Sequence, residues 1–401
     1  MTTMISGGTI VLADRVIDNG SLVIEGGRIV EIRSAPMPAG DGVVDASGHL
    51  VVAGFIDVHV HGVEGQDTLT TADAVSQMAR RLPKYGVTGF CPTTVACGPA
   101  ELRRLLDGIA AARQAPVPGH AHVLPAHMES NFIAPEFRGA QPLTCLRHPT
   151  PDVLPGPPPD GTPFSGAEIL DVIARARGQV GILTIAPEQD GHLDLIRRLV
   201  SAGHVVSLGH SGANFEQGLA GVDAGARHAT HLFNRMPPLS HRAPGLIGAI
   251  YSRPEVRAEI ICDGYHVHPM VARMAMAALG RDRTMAITDG TAGSGLAVGS
   301  VVPLGSHAIT VTDEACFLPD GTLAGSRLTM DGAFRTLVTQ MGVSLVDAAY
   351  VCATTPARQL GLTRTGEIAV GMAADLAVLT PAFRVVSTYV DGVESQAWPV
   401  V

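Results

Sequence analysis

Between residues 54 and 362 short apolar runs alternate with amphipathic stretches, and this alternation limits what the chain can fold into more than any other feature. The helical stretches are TADAVSQMARRLPKYG (71–86), PAELRRLLDGIAAARQ (99–114), GAEILDVIARARGQ (166–179), HLDLIRRLVSAG (192–203) and HPMVARMAMAALG (268–280). Runs such as GFIDV, HVVSLG, AEIIC and TMAIT read as buried strands. Repeated strand–helix units predict a parallel sheet covered by helices, because a parallel connection needs a crossover. A closed (β/α)8 TIM-type barrel takes about 250 residues, which the segment 54–362 provides. An open doubly wound sheet is the alternative.

Both ends have a different texture. TIVLADRVI, GSLVIEGGRIVEIRS and GHLVVAG near the start, and GEIAVGMAADLAVLT and FRVVSTYVDGVES near the end, alternate as strands do. Gly26-Gly27 between two such runs signals a hairpin. Neither end is long enough to build a core, so residues 1–53 and 363–401 are expected to form one small β-sandwich domain. The Pro-rich segment 143–164 is excluded from helix and central strand. It is expected to be a long surface loop or a lid near the barrel mouth.

The formal net charge of −9 argues against nucleic acid as a partner, since phosphate backbones require a basic face. The six cysteines form no C-x-x-C pair and read as reduced, buried thiols. The start lacks the basic and apolar regions of a signal peptide. No run of about 18 apolar residues indicates a membrane span. A soluble cytoplasmic protein is expected.

The chemistry lies where apolar strands end. GFIDVHVHG places His59 and His61 two residues apart, hence on one face of a strand. Later strands end in Glu129, His210, His231, His266 and Asp289. In a barrel all C-terminal strand ends meet on one rim, where barrel active sites lie. A lone buried histidine is more often a hydrogen-bonded core residue than a ligand. A series of them at βα-unit spacing points instead to a metal centre with N and O donors, suited to zinc, iron or manganese. His127 shares a face with Glu129 and is expected behind the ligands. His120, His122, His192, His204, His241 and His307 are expected on the surface or in loops, and His228 and His268 are read as structural.

H-x-H after the first barrel strand, followed by Glu, His, His and Asp, resembles the amidohydrolase superfamily. More narrowly, HMESNFIAPEFRGAQ (127–141), HATHLFNRMPPL (228–239), RAPGLIGA (242–249) and DGYHVHP (263–269) resemble the N-acetylglucosamine-6-phosphate deacetylases. The resemblance implies deacetylation of N-acetylglucosamine 6-phosphate to glucosamine 6-phosphate and acetate. It also implies that Glu129, His210 and His231 hold one divalent ion, most simply zinc; His59 and His61 could hold a second that shares Glu129, so one or two ions per subunit are expected. Asp289 would be the general base, and also a ligand. The phosphate would meet Asn234, Arg242, His266 and a backbone N–H at Arg235. Because the counterpart of Arg242 reaches in from a neighbouring subunit, a homodimer is implied. Lys84, the sole lysine, closes a helix and cannot supply the carbamylated lysine used elsewhere in the superfamily. That disfavours a cyclic-amide hydrolase.

The sequence departs from the deacetylase pattern where substrate is contacted. Ser130-Asn131 replaces Gly-Pro, Gln141 replaces a histidine, and Arg235 replaces a small residue. These changes leave the ligands intact but open a second reading: the same chemistry on N-acetylgalactosamine 6-phosphate or another acidic N-acyl compound. A catalytically silent binding protein on the same scaffold is the remaining alternative.

Overall fold

The computed structural model describes residues 2–151 and 163–395. Eight parallel strands form the central sheet: β1 (Phe55–Val60), β2 (Val87–Thr94), β3 (Ala126–Met128), β4 (Val180–Ile185), β5 (Val205–Leu208), β6 (His228–Ala229), β7 (Arg257–Ile261) and β8 (Thr284–Ile287). Each pairs in parallel with the next. The ring closes where Val60 bridges Gly290 in parallel and the Asp289 N–H donates to the His59 carbonyl at 2.9 Å. This is the expected (β/α)8 barrel, not the open sheet. His122–Val123 adds a short extra strand beside β2.

The helices follow from their periodicity. Pro99–Gln114 buries Leu102, Leu105, Leu106 and Ile109, one stripe at helical spacing. Gly166–Arg175 is capped by Ser165, whose hydroxyl accepts the Glu168 N–H while the Glu168 carboxylate returns to the Ser165 N–H. Inside the barrel, Ile56, Val58, Cys91, Ile182, Ile261, Met285 and Ile287 form an apolar floor. A fully buried side chain such as Phe55 contributes roughly 1.5–3 kcal/mol.

The two ends share one eight-stranded sheet. Leu376–Leu379 lies antiparallel against Leu50–Ala53, so the C-terminal strands join directly onto the N-terminal ones. The core of this sheet holds Ile5, Ile10, Leu22, Ile24, Val51, Leu376 and Tyr389. Gly26 and Gly27, at φ 55° and 79°, make the expected hairpin between Val16–Glu25 and Arg28–Arg33.

Two features differ from expectation. After β8 the chain forms a three-stranded antiparallel sheet, Val301–Leu304, His307–Val311 and Cys316–Phe317, which a search for βα units does not reveal. Part of the Pro-rich segment, 152–162, lies outside the described residues. Its N-terminal flank is not a free surface loop: Cys145, Leu146 and Arg147 are buried, and Arg147 Nε donates to the Phe164 carbonyl at 2.7 Å. Arg147 Nη1 also donates to the Thr144 and Leu146 carbonyls, and an arginine with such backbone partners can be packed inward.

Candidate metal centre at the barrel rim

Five strands deliver the candidate ligands. His59 lies in β1 and His61 just beyond it, Glu129 follows β3, and His210, His231 and Asp289 each stand two residues past the ends of β5, β6 and β8. His266 does not end β7; it lies five residues beyond Ile261, in the loop before the helix Pro269–Leu279. The chain turns sharply at three of these positions. His210, His231 and Asp289 have φ of 47°, 25° and 49°. Such conformations cost roughly 1–3 kcal/mol each for a side chain and cluster at functional sites.

The polar atoms converge. Glu129 Oε1 is 2.7 Å from His210 Nε2 and 2.7 Å from His231 Nε2, and those two nitrogens are 3.1 Å apart. Alongside, His59 Nε2 and His61 Nε2 are 3.3 Å apart. Glu129 Oε2 is 3.4 Å from His61 Nε2, and Glu129 Oε1 is 3.7 Å from His59 Nε2. Asp289 Oδ1 stands 3.4 Å from His59 Nε2 and 3.2 Å from His61 Nε2. All six residues are buried. Two groups result, His59–His61–Glu129 and Glu129–His210–His231, sharing the Glu129 carboxylate.

Two facts fit this donor set to divalent cations. His210 Nδ1 faces the Phe137 carbonyl at 2.8 Å and must donate to it, so Nε2 is left with its lone pair towards Glu129 and His231. The electrostatics also call for positive charge. Burial pushes the Glu129 carboxyl up, but His210, with hydrogen bonds from His231 and His61, outweighs it and holds the group well below the ordinary value. Burial likewise opposes a charge on His59, yet Glu259, Asp289 and Glu129 raise it to about 9. His61 is raised to about 10 against its own burial by Asp289 and Glu129. Asp289 is held down, against burial, by His59 and His61.

Beside the centre opens a pocket lined by His61, Glu129, Gln141, His210, His231, Asn234, Arg235, His266 and Asp289, with Leu304 and Leu323 as its apolar wall. The rim thus gathers every residue singled out from the sequence except His59, buried beneath it, and Arg242. Arg242 is exposed in the loop before the helix Gly245–Ser252 and does not line the pocket. Gln141 is fully engaged: Nε2 donates to Glu129 Oε2, and Oε1 accepts the Ala96 N–H at 2.7 Å. Arg235, at φ 52°, lies over Gly139, where an added Cβ would sit 2.5 Å from Arg235 Nε. His266 Nδ1 is 2.6 Å from Asp263 Oδ2.

The other histidines sort as follows. His127 packs behind His59 with ring centroids 4.6 Å apart, its nitrogens on the Val58 carbonyl and Thr184 Oγ1. His228 is buried and structural, and His268 caps its helix by accepting the Met270 N–H. His204 lies in a loop as expected but is buried, and His192, expected on the surface or in a loop, is buried at the start of a helix; each has a backbone carbonyl for its Nδ1. Lys84 Nζ pairs with Glu64 at 2.6 Å and does not line the pocket.

The sequence reading missed Glu259, which lies 2.9 Å from His59 Nδ1 and 2.8 Å from His228 Nε2. A glutamate inside the apolar run AEIIC was the available signal, since a buried carboxylate needs partners. Asp57, in GFIDV, was missed likewise. It accepts Thr288 Oγ1 at 2.5 Å and the His59 N–H at 3.2 Å, and burial pushes its carboxyl up to about 7.

A (β/α)8 barrel with imidazoles and carboxylates converging at its C-terminal rim defines the class of metal-dependent barrel hydrolases. The chain belongs to the amidohydrolase family, whose model matches residues 50–394. It is 33% identical over 390 residues to the N-acetylglucosamine-6-phosphate deacetylase of Bacillus subtilis (strain 168), covering 96% of this chain and 94% of the relative. It is 30% identical to the N-acetylgalactosamine-6-phosphate deacetylase of Escherichia coli O157:H7, covering 98% and 99%. Among solved structures, a mutant N-acetyl-D-glucosamine-6-phosphate deacetylase from Mycobacterium smegmatis, in complex with N-acetyl-D-glucosamine-6-phosphate, superposes with a TM-score of 0.88. That match has 31% identity and covers 98% of this chain and 99% of that one.

Proposed function

We propose that this chain removes the acetyl group of N-acetylglucosamine 6-phosphate, releasing acetate and glucosamine 6-phosphate. The observation that carries the reading is the convergence of two histidine groups on one shared glutamate, beside a pocket that holds Asp289. Full-length similarity to deacetylases supports the substrate class.

Glu129, His210 and His231 would hold one ion, and His59 and His61, sharing Glu129, a second. Zinc suits this donor set. A bound divalent ion supplies Lewis acidity, polarising a carbonyl and making water more acidic. Asp289, kept ionised by the adjoining imidazoles, is positioned to accept the proton of the attacking water. The water oxygen bonds to the acetyl carbon, the C–N bond breaks, and Asp289 returns the proton to the departing nitrogen. Intact Asp289 and a full ligand set argue against a silent binding protein.

Asn234, His266 and the guanidinium of Arg235 form the polar end of the pocket, suited to the phosphate. Arg242 is assigned to the phosphate of a neighbouring active site in a homodimer, which its exposure permits. Mixing an Arg242→Ala chain with an Asp289→Asn chain should then restore activity that neither has alone. Homodimers carrying only their own arginine would give no such rescue. The free, buried cysteines support a reducing, cytoplasmic setting.

A second reading, N-acetylgalactosamine 6-phosphate as substrate, is favoured by Gln141. Both ends of its amide are already committed, which removes one expected contact to the sugar. Acetate release from both sugar phosphates and from free N-acetylglucosamine, using protein of known metal content, tests the proposal. Preference for the galactosamine compound would select the second reading, and no release from either phosphate would reject both.

A further inference from the structure

Glu259 in β7 is completely buried, and both of its oxygens are in use. Oε2 accepts from His59 Nδ1 at 2.9 Å and from the His231 N–H at 3.0 Å. Oε1 lies 2.8 Å from His228 Nε2. Its own backbone carbonyl accepts the Leu232 N–H at 2.8 Å. One residue therefore grips a candidate ligand of the first group, His59, and the turn that presents a ligand of the second, His231.

Each grip has a separate consequence. An ionised carboxylate can only accept, so the proton on His59 belongs at Nδ1. The lone pair of His59 Nε2 then faces Glu129, His61 and Asp289. His231 sits at a φ of 25°, a conformation that must be held in place. The Glu259 side chain takes the N–H of that residue and the Glu259 backbone takes the next. Glu259 is not itself placed to join an ion with His59 and His127: its Oε2 occupies His59 Nδ1, and both nitrogens of His127 are bonded elsewhere.

We propose that Glu259 is a positioning residue that couples the two halves of the metal centre from beneath, as Glu129 joins them from the pocket side. The proposal rests on the reading of this rim as a metal centre. It is tested on full-length protein stripped of metal and titrated with cobalt(II) and zinc, wild type against Glu259→Gln. Every ion that the wild type holds should be held about 10- to 100-fold more weakly by the variant. The cobalt absorption spectrum should also change, because ligand orientation changes. A purely structural role would lower the melting temperature of the stripped variant and leave its metal affinities and cobalt spectrum alone, which would overturn the proposal. A wild type that takes up no ion would overturn the metal reading and this proposal together. If Glu259→Gln fails to fold, nitrogen-15 spectra of the zinc-loaded wild type replace it: neutral His59 should carry its single proton on Nδ1, and the tautomer with the proton on Nε2 would overturn the assignment.

Discussion

Asp289 and Arg235 occupy the same pocket but should fail in different ways. Asp289 is 8% exposed and lies within 3.4 Å of both imidazoles of the H-x-H pair. If it moves the proton, Asp289→Asn should lower kcat by about 10²- to 10⁴-fold. Elemental analysis should still find metal bound, since Glu129, His210 and His231 do not need it. A variant with full turnover would show that another group is the base. Arg235 lines the same pocket and is the residue proposed for the phosphate. Arg235→Ala should raise KM for the sugar phosphate by about 10-fold or more, the loss of a charge-assisted contact, with kcat little changed. An equal effect on unphosphorylated N-acetylglucosamine would remove the phosphate from its role.

Between elements, a polar cluster joins the barrel to the terminal sheet. His122, on the short strand beside β2, faces Asp375 and Asp391 at 3.5 Å each, and these two flank strands of the terminal sheet. The hydrogen bond to Asp375 outweighs partial burial and raises the His122 pKa above its ordinary 6.5. A histidine raised in the folded state stabilises fully below its unfolded pKa, and that contribution is lost as pH rises through the folded value. Denaturant midpoints should therefore fall from pH 6 towards pH 9, and His122→Gln should flatten that part of the profile. Because the imidazole is one-third exposed, the contribution should stay below about 1 kcal/mol. A profile unaltered by the substitution would assign the pH dependence to other groups.

For the molecule as a whole, the rim concentrates buried charge and strained turns that a bound ion would stabilise. Removing metal should lower the melting temperature and abolish activity, and resupplying zinc should restore both. An ion present at a thousand times its dissociation constant adds about 4 kcal/mol to stability. Full activity and unchanged melting after exhaustive chelation would contradict the metal-dependent reading. Much of this molecule was legible before folding. The alternation of short apolar runs with helices such as Pro99–Gln114 implied a parallel sheet covered by helices, because those periods are local properties of the chain. His59, His61, Glu129, His210, His231 and Asp289 were legible for the same reason, each standing at or just past the end of such a run. Other features were hidden. The commitment of Gln141 to Glu129 and Ala96 and the burial of His192 and His204 depend on contacts between distant segments. Glu259 is the clearest case. Its type was visible, but its role required His59, from 200 positions earlier, and the His231 turn to arrive at one carboxylate oxygen. Composition and periodicity decide what each segment becomes, while only closure of the barrel decides which buried groups satisfy one another, since a hydrogen bond depends on position in space and not on order along the chain.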